Sequence, residues 1–297
     1  MKDVKEIRED LAKRQKRVQV CYVAYTLIYV AALALGVREL LVPAVVIGGA
    51  NMVGYFLFLR GQVKGYSHAV ARANILCGLC RPLTEAEYTD REGLDWAAFQ
   101  DLALLPIRDH PSSLLVREGF AGKGFGLSLK GWEVSFHYPV YGKGRTDYRF
   151  LSGSILTAEG PARPDGDGDW LLIRKGMVDA AAQDVFVEKS GFRACKCPVE
   201  ALSKSFDVYS RTGAPMPRGW ADQFSRLFKQ AGSLGAVRAS PRAAAVYLGN
   251  RFYTGRTKVR ELPGADKLER NPLPERDKVW EFFRFWSTAG KNRLTDS

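Results

Sequence analysis

Two stretches without a single charge stand near the start of the chain, Val18 to Val37 (VQVCYVAYTLIYVAALALGV) and Leu40 to Leu59 (LLVPAVVIGGANMVGYFLFL). A helix rises about 1.5 Å per residue, so about 20 residues cross a hydrocarbon layer of about 30 Å. Both stretches meet that length. Only Arg38 and Glu39 separate them, which predicts an antiparallel hairpin with a tight turn, and Gly36 suits the end of the first helix. Pro43 falls in the first turn of the second helix, where a missing N–H costs least. Ala32 with Gly36, and Ala50 with Gly54, have the small-xxx-small spacing that lets helices approach in lipid. Asn51 is the one strongly polar side chain at that depth, and a hydrogen bond to the partner helix is its expected role.

The pattern then changes. Gly65 to Leu79 has helical spacing and stops before Pro82. Thr84 and Glu87 have capping-box spacing, which predicts a helix through about Leu105, closed by Pro106. From Leu114 to about Val208, Gly, aromatic and β-branched residues predominate. Val134, Phe136 and Tyr138 alternate with Glu133, Ser135 and His137, the period of a half-buried strand. Further strands are predicted at 148–150, 170–173, Val185-Phe186-Val187 and 206–209. Helical period returns at Trp220 to Phe228. Strands are expected at Ala243 to Leu248 and Arg251-Phe252-Tyr253, and a last helix runs from Pro274 to about Ala289 with Val279, Phe282, Phe283 and Trp286 on one face.

The fold class expected is a membrane-anchored α+β protein. An N-terminal two-helix transmembrane hairpin precedes a cytoplasmic domain with a mainly antiparallel sheet flanked by helices. The divisions are a basic leader at 1–17, the hairpin at 18–59 (18–37 and 40–59), a juxtamembrane helical segment at 60–105 and the α+β domain at 106–297.

Composition adds orientation. The net charge is +12, from 44 Lys and Arg against 32 Asp and Glu, while mean hydropathy is −0.18. Lys13, Arg14, Lys16 and Arg17 precede the first apolar stretch, and Arg60, Lys64, Arg72 and Arg81 follow the second. The connecting turn offers only Arg38, so the positive-inside bias puts both termini in the cytoplasm. That bias also accounts for the basic balance, which sets nucleic acid aside as a partner. A cleaved signal peptide ending at Ala32-Leu33-Ala34 is disfavoured by the acidic leader (Asp3, Glu6, Glu9, Asp10) and by the length of the apolar run.

Candidate chemistry is thin. The glycines of GFAGKGFG (Gly119, Gly122, Gly124, Gly126) lack P-loop spacing and a following Ser or Thr, and read as a hairpin turn. Asp165, Asp167 and Asp169 open like a calcium loop, but Trp170 and Gly176 stand where an EF-hand needs Gly and Glu, leaving a solvated loop. Cys77, Cys80, Cys195 and Cys197 are weak zinc candidates, and Cys77 or Cys80 could equally be acylated; the default is reduced thiols. His68, His110 and His137 lie in no catalytic motif, Asp109-His110-Pro111 reads as a turn, and the carboxylates Asp207 and Glu188 cannot be paired from sequence. No catalytic residue and no cofactor is assigned. The basic-aromatic stretch Arg251, Phe252, Tyr253, Arg256, Lys258 and Arg260 reads first as a solvated strand-loop; as a phosphate contact it suits anionic lipid headgroups ahead of nucleic acid.

This order of elements, together with Ala201 to Gly213 (ALSKSFDVYSRTG) and its Phe206-x-Val208-Tyr209 strand, resembles the bacterial domain of unknown function 3137 (DUF3137) family. The resemblance implies the bacterial inner membrane, no known activity, and a LemA-like membrane protein as a partner. The leading expectation is a non-enzymatic interaction or scaffold module at the membrane. The alternative is an enzyme of unrecognised type acting on a membrane-proximal lipid or nucleotide, and a transporter is third.

Overall fold

The computed structural model describes residues 4–37, 40–89, 93–142, 144–161, 168–252 and 262–288. They form two compact units, one of residues 1–81 with 254–270, the other of 82–253 with 271–297.

The first unit is helical. Helix α1 runs unbroken from Val4 to Val37, so the basic leader is helical and continuous with the first apolar stretch. The second strand of the hairpin is also one long helix, Leu41–Leu79. It comprises α2 (Leu41–Gly54), a π-helical turn at Tyr55–Leu59, α3 (Arg60–Asn74) and a second π turn at Ile75–Leu79. Both helices are long and apolar enough to cross a membrane. Their apolar stretches interlock through small residues. A Cβ on Gly36 would lie 3.6 Å from Ala44, and one on Gly48 4.0 Å from Ala32. Ala50 is exposed, so Gly48 takes the contact expected of it.

The helices also share a core that runs from the leader into the start of the first apolar stretch and from the end of the second onward. Val4, Ile7, Leu11, Val18, Cys21 and Tyr25 of α1 meet Leu59, Val63, Tyr66, Val70, Ala73 and Cys77 in one apolar cluster. Their steps of three, four and seven residues form the seam of an antiparallel coiled pair. Leu268 of the short helix α8 (Ala265–Glu269) adds to this cluster.

The second unit is built on a nine-stranded sheet in the order β1-β2-β3-β4-β9-β8-β5-β7-β6. The strands are β1 (Thr84–Thr89), β2 (Leu114–Gly124), β3 (Leu127–Gly142), β4 (Arg145–Glu159), β5 (Trp170–Arg174), β6 (Arg193–Ala194), β7 (Phe206–Ser210), β8 (Leu234–Ala239) and β9 (Ala243–Leu248). All pairings are antiparallel. Helices α4 (Trp96–Leu102) and α5 (Ala180–Lys189) flank a core in which Phe99 packs on Phe136 at 5.0 Å between ring centroids. Helix α6 (Glu200–Ser205) precedes β7, and α7 (Arg218–Gln230) and α9 (Arg276–Thr288) supply further aromatic contacts: Phe228 with Phe206, Phe224 with Phe282, and Trp280 with Phe120. Because both sides of β3 are covered, Glu133 and Ser135 are buried, while His137 is exposed.

Three predicted elements are corrected. Thr84 and Glu87 do not cap a helix. They lie in β1, where Thr84 donates its hydroxyl to the Lys123 carbonyl at 3.1 Å and the strand finds its partner in β2. Helix α4 starts later, capped by Asp95, whose carboxylate accepts from the Ala98 N–H at 2.7 Å. Val185, Phe186 and Val187 lie inside α5, which Asp179 caps through the Ala182 N–H. The strand preference of the two valines and Phe186 is outweighed by the Ala-rich turn before them and by burial of Ala182, Gln183 and Val187 along one face. Arg251 and Phe252 are in no strand, and Tyr253 lies outside the described residues.

Candidate functional site

A cleft of about 730 Å³ opens in the sheet unit. Its walls come from three separate segments. The chain after α4 supplies Leu105, Ile107, Arg108 and Asp109; the far ends of β3 and β4 supply Pro139, Tyr141, Thr146 and Tyr148; and α5 supplies Val185, Phe186 and Lys189. Arg211 closes one end. The lining mixes apolar and aromatic side chains with Gln100, Asp101, Arg108, Asp109, Lys189 and Arg211, so polar and apolar surface are nearly balanced. The Arg108 guanidinium stands 4.3 Å from the centroid of the Tyr148 ring, a cation–π contact. Lys189 reaches Asp109 at 3.9 Å, a loose, exposed pair.

A half-buried clamp borders the cleft. Asp169 accepts from Arg238 Nε at 3.0 Å and Nη2 at 2.8 Å, and from Arg211 Nε at 3.2 Å. Arg238 also donates through Nη1 to the carbonyls of Asp101 and Leu102, at 3.1 and 2.7 Å, at the end of α4. Phe192 lies under both guanidinium groups, 4.6 Å from Arg211 and 5.6 Å from Arg238. One carboxylate thus ties β5, β8 and the end of α4 together. Sequence reasoning assigned Asp169 to a solvated loop with Asp165 and Asp167. Those two lie outside the described residues, and Asp169 itself is structural.

The glycine cluster forms a hairpin, as expected. β2 leads into a two-residue turn at Phe125 and Gly126, with φ of 58° and 74°, the type I′ geometry that matches strand twist. Gly119 serves packing: a Cβ there would lie 2.5 Å from Thr89 Oγ1 and 2.8 Å from Trp132. His110 caps a short 3₁₀ turn at Pro111–Ser113, accepting from the Ser112 N–H through Nδ1 at 3.2 Å, so the predicted turn is there. His137 is exposed and stacks on Phe150 at 5.2 Å. Asp207 accepts from Gln183 Nε2 at 2.9 Å, while Glu188 is exposed on α5.

The five cysteines form no disulfide. Cys77 and Cys80 are buried in the helical unit; Cys195 and Cys197 are half-buried in the sheet unit. Burial, and then the Glu269 carboxylate, push the Cys77 thiol up. Burial pushes Cys195 up to about 11, against a hydrogen bond with Ser210 that acts downward. Both are therefore protonated near neutrality. Among the described residues no group of three or more His, Cys, Asp or Glu side chains gathers as a metal would need. Of the basic-aromatic stretch, Phe252 is buried against Phe120 at 5.9 Å and offers nothing to a headgroup. Tyr253, Arg256, Lys258 and Arg260 lie outside the described residues.

In the helical unit a second opening, about 640 Å³, lies between the apolar stretches, lined by Tyr22, Tyr25, Tyr29, Tyr55, Gly49 and Met52. Asn51 donates through Nδ2 to the Tyr25 carbonyl at 3.1 Å, the interhelical bond expected of it.

No known family, no curated protein and no solved structure matches the chain.

Proposed function

We propose that the chain is a membrane-anchored interaction module. Its helical hairpin lies across a bacterial inner membrane with both termini in the cytoplasm, and its sheet unit binds a partner there without catalysing a reaction. One observation carries the anchor. Of the large apolar side chains left exposed, nearly all lie on the hairpin between Val20 and Phe58, around both helices. In water so large a contiguous apolar surface drives aggregation, and in hydrocarbon it has no cost. The Lys and Arg flanks support the orientation.

The cleft is the recognition surface in this reading. Tyr141, Tyr148 and Val185 offer exposed apolar area, and the charges around them are largely paired with one another instead of converging on a reacting atom. The resemblance to the domain of unknown function 3137 family makes a second membrane protein, LemA-like, the partner class to try first. Pull-down of the full chain in mild detergent tests this. A stoichiometric partner should be recovered, and should be lost from Val185→Asp, which changes an exposed position. If the unaltered chain recovers nothing, the module reading fails. The enzyme reading draws on one observation, that aromatic walls beside Arg108 and Lys189 would also suit a nucleotide. Saturable binding of a nucleotide by the purified chain, abolished by Arg108→Ala, would favour it.

A further inference from the structure

We propose that the free edge of β4 pairs with the same edge of a second copy of this chain, joining two sheets across a two-fold axis. The starting point is the accounting of backbone hydrogen bonds. β3 and β4 pair without interruption from Ser128 opposite Glu159 to Gly142 opposite Arg145. On its other side β4 meets β9 only from Ser154 to Glu159. Among the described residues no strand takes up the outer edge of β4 from Arg145 to Phe150, and all six residues there are exposed.

An open edge of this length is a template for another strand, and proteins usually blunt such edges with Pro, Lys, a bulge or a covering loop. The neighbouring edge of the same ribbon is blunted. Pro139 offers no N–H to the outer edge of β3, and the Arg108 N–H takes up the His137 carbonyl at 2.8 Å. Among the described residues β4 has neither device from Arg145 to Phe150. Instead it carries Tyr148 and Phe150, 44% and 53% exposed.

The sequence of this edge is complementary to itself. When Arg145-Thr146-Asp147-Tyr148-Arg149-Phe150-Leu151 is laid antiparallel on a second copy and centred on Tyr148, Tyr148 faces Tyr148. Asp147 then faces Arg149 in both directions, and Thr146 faces Phe150. Directly opposed unlike charges and aromatic pairs are the pairings that stabilise antiparallel strands. Among the described residues of one chain, the ion pair Asp147 makes is an exposed one with Arg145 at 3.2 Å. A shift of register by one residue would set like against unlike side chains and turn the aromatic side chains to the opposite face. The occupant that fits is a second copy, through strand addition. This goes beyond the proposed function and does not depend on the membrane or on the cleft's partner.

The test uses the full chain in detergent. On the two-fold axis the paired α-carbons of residue 148 are about 4.5–5.5 Å apart, within disulfide range. Tyr148→Cys should therefore form a covalent dimer under mild oxidation, above the background of the unaltered chain with its native thiols. Arg145→Cys should not, because its counterpart lies six positions away along the paired strand. Arg149→Asp should weaken association roughly tenfold by setting carboxylate against carboxylate, and Asp147→Arg combined with Arg149→Asp should restore it. If Tyr148→Cys crosslinks no faster than Arg145→Cys, or the charge-swapped double variant associates no better than Arg149→Asp alone, the pairing is wrong. A strand partner of different sequence would give that second outcome.

Discussion

Replacing Asp169 with Ala tests whether the half-buried clamp holds the sheet unit and its cleft together. The carboxylate accepts three hydrogen bonds from two arginines, and the side chains of Asp169 and Arg238 retain only 13% and 14% of their exposure. Removing one member of a buried pair leaves an uncompensated charge, which costs about 3–5 kcal/mol; the residual exposure here places the cost near 3. In a unit of roughly 200 residues each kcal/mol moves Tm by about 2–4 °C, so Asp169→Ala should melt about 6–12 °C lower. The assay can be confined to this unit within the intact chain. All six tryptophans (Trp96, Trp132, Trp170, Trp220, Trp280 and Trp286) lie in the sheet unit, so their fluorescence reports its unfolding in detergent. Arg238→Met should cost a similar amount, and the double variant far less than the sum, because the two residues share one interaction. Melting of Asp169→Ala within a degree of the parent chain would refute the clamp.

Other consequences are equally direct. Gly153→Ala should destabilise the sheet unit by about 1–3 kcal/mol, because its Cβ would stand 2.1 Å from the Leu248 carbonyl oxygen of β9, a backbone atom that cannot step aside. Chemical denaturation followed by tryptophan fluorescence measures it, and an unchanged midpoint contradicts it. Leu11→Ala, at a fully buried position of the coiled pair, should cost about 2–5 kcal/mol of helical-unit stability. Helical circular dichroism at increasing temperature should register an earlier loss. Asn51→Leu removes one interhelical hydrogen bond and should cost only about 0.6–1.7 kcal/mol, measured by unfolding in mixed detergent. Cys195 carries a pH dependence. Its folded-state value of about 11 lies above the ordinary 9.0, so it disfavours unfolding equally at all pH below about 9, and stability falls as pH rises from there through 11. At pH 8, alkylation of Cys195 by iodoacetamide should be slower in the folded chain than in urea, and equal rates would contradict the burial that raises it.

Much of the architecture could be read from local pattern, and what could not depended on distant partners. The two apolar stretches, β3, β9, α7 and the aromatic face of α9 all followed from period and length, because each buries a face defined by its own sequence. β1 was misread because Thr84 and Glu87 fit a capping box, and only β2, some thirty residues on, supplies its hydrogen-bond partners. β8 was missed because Leu-Gly-Ala-Val-Arg-Ala has short side chains and weak strand propensity, and its place between β5 and β9 decides its state. The three- and four-residue spacing of Val4, Ile7, Leu11 and Val18 was present in the leader, and its partner spacing from Leu59 to Cys77 was also legible. The surrounding Lys and Arg obscured both.

The cleft was not legible. Its walls come from residues around 105, 140 and 185, and the carboxylate that braces it follows a run of acidic residues that reads as a solvated loop. The open edge of β4 was equally hidden, since it depends on where β9 ends beside β4.

The central claim is that the paired apolar helices lie within a bilayer. Washing membranes from cells expressing the full chain with sodium carbonate at high pH tests it most directly, because the wash strips peripheral proteins and leaves those embedded in hydrocarbon. The account predicts that the chain stays in the membrane pellet and leaves it only with detergent. Recovery of the chain in the carbonate supernatant as a soluble, folded protein would contradict it.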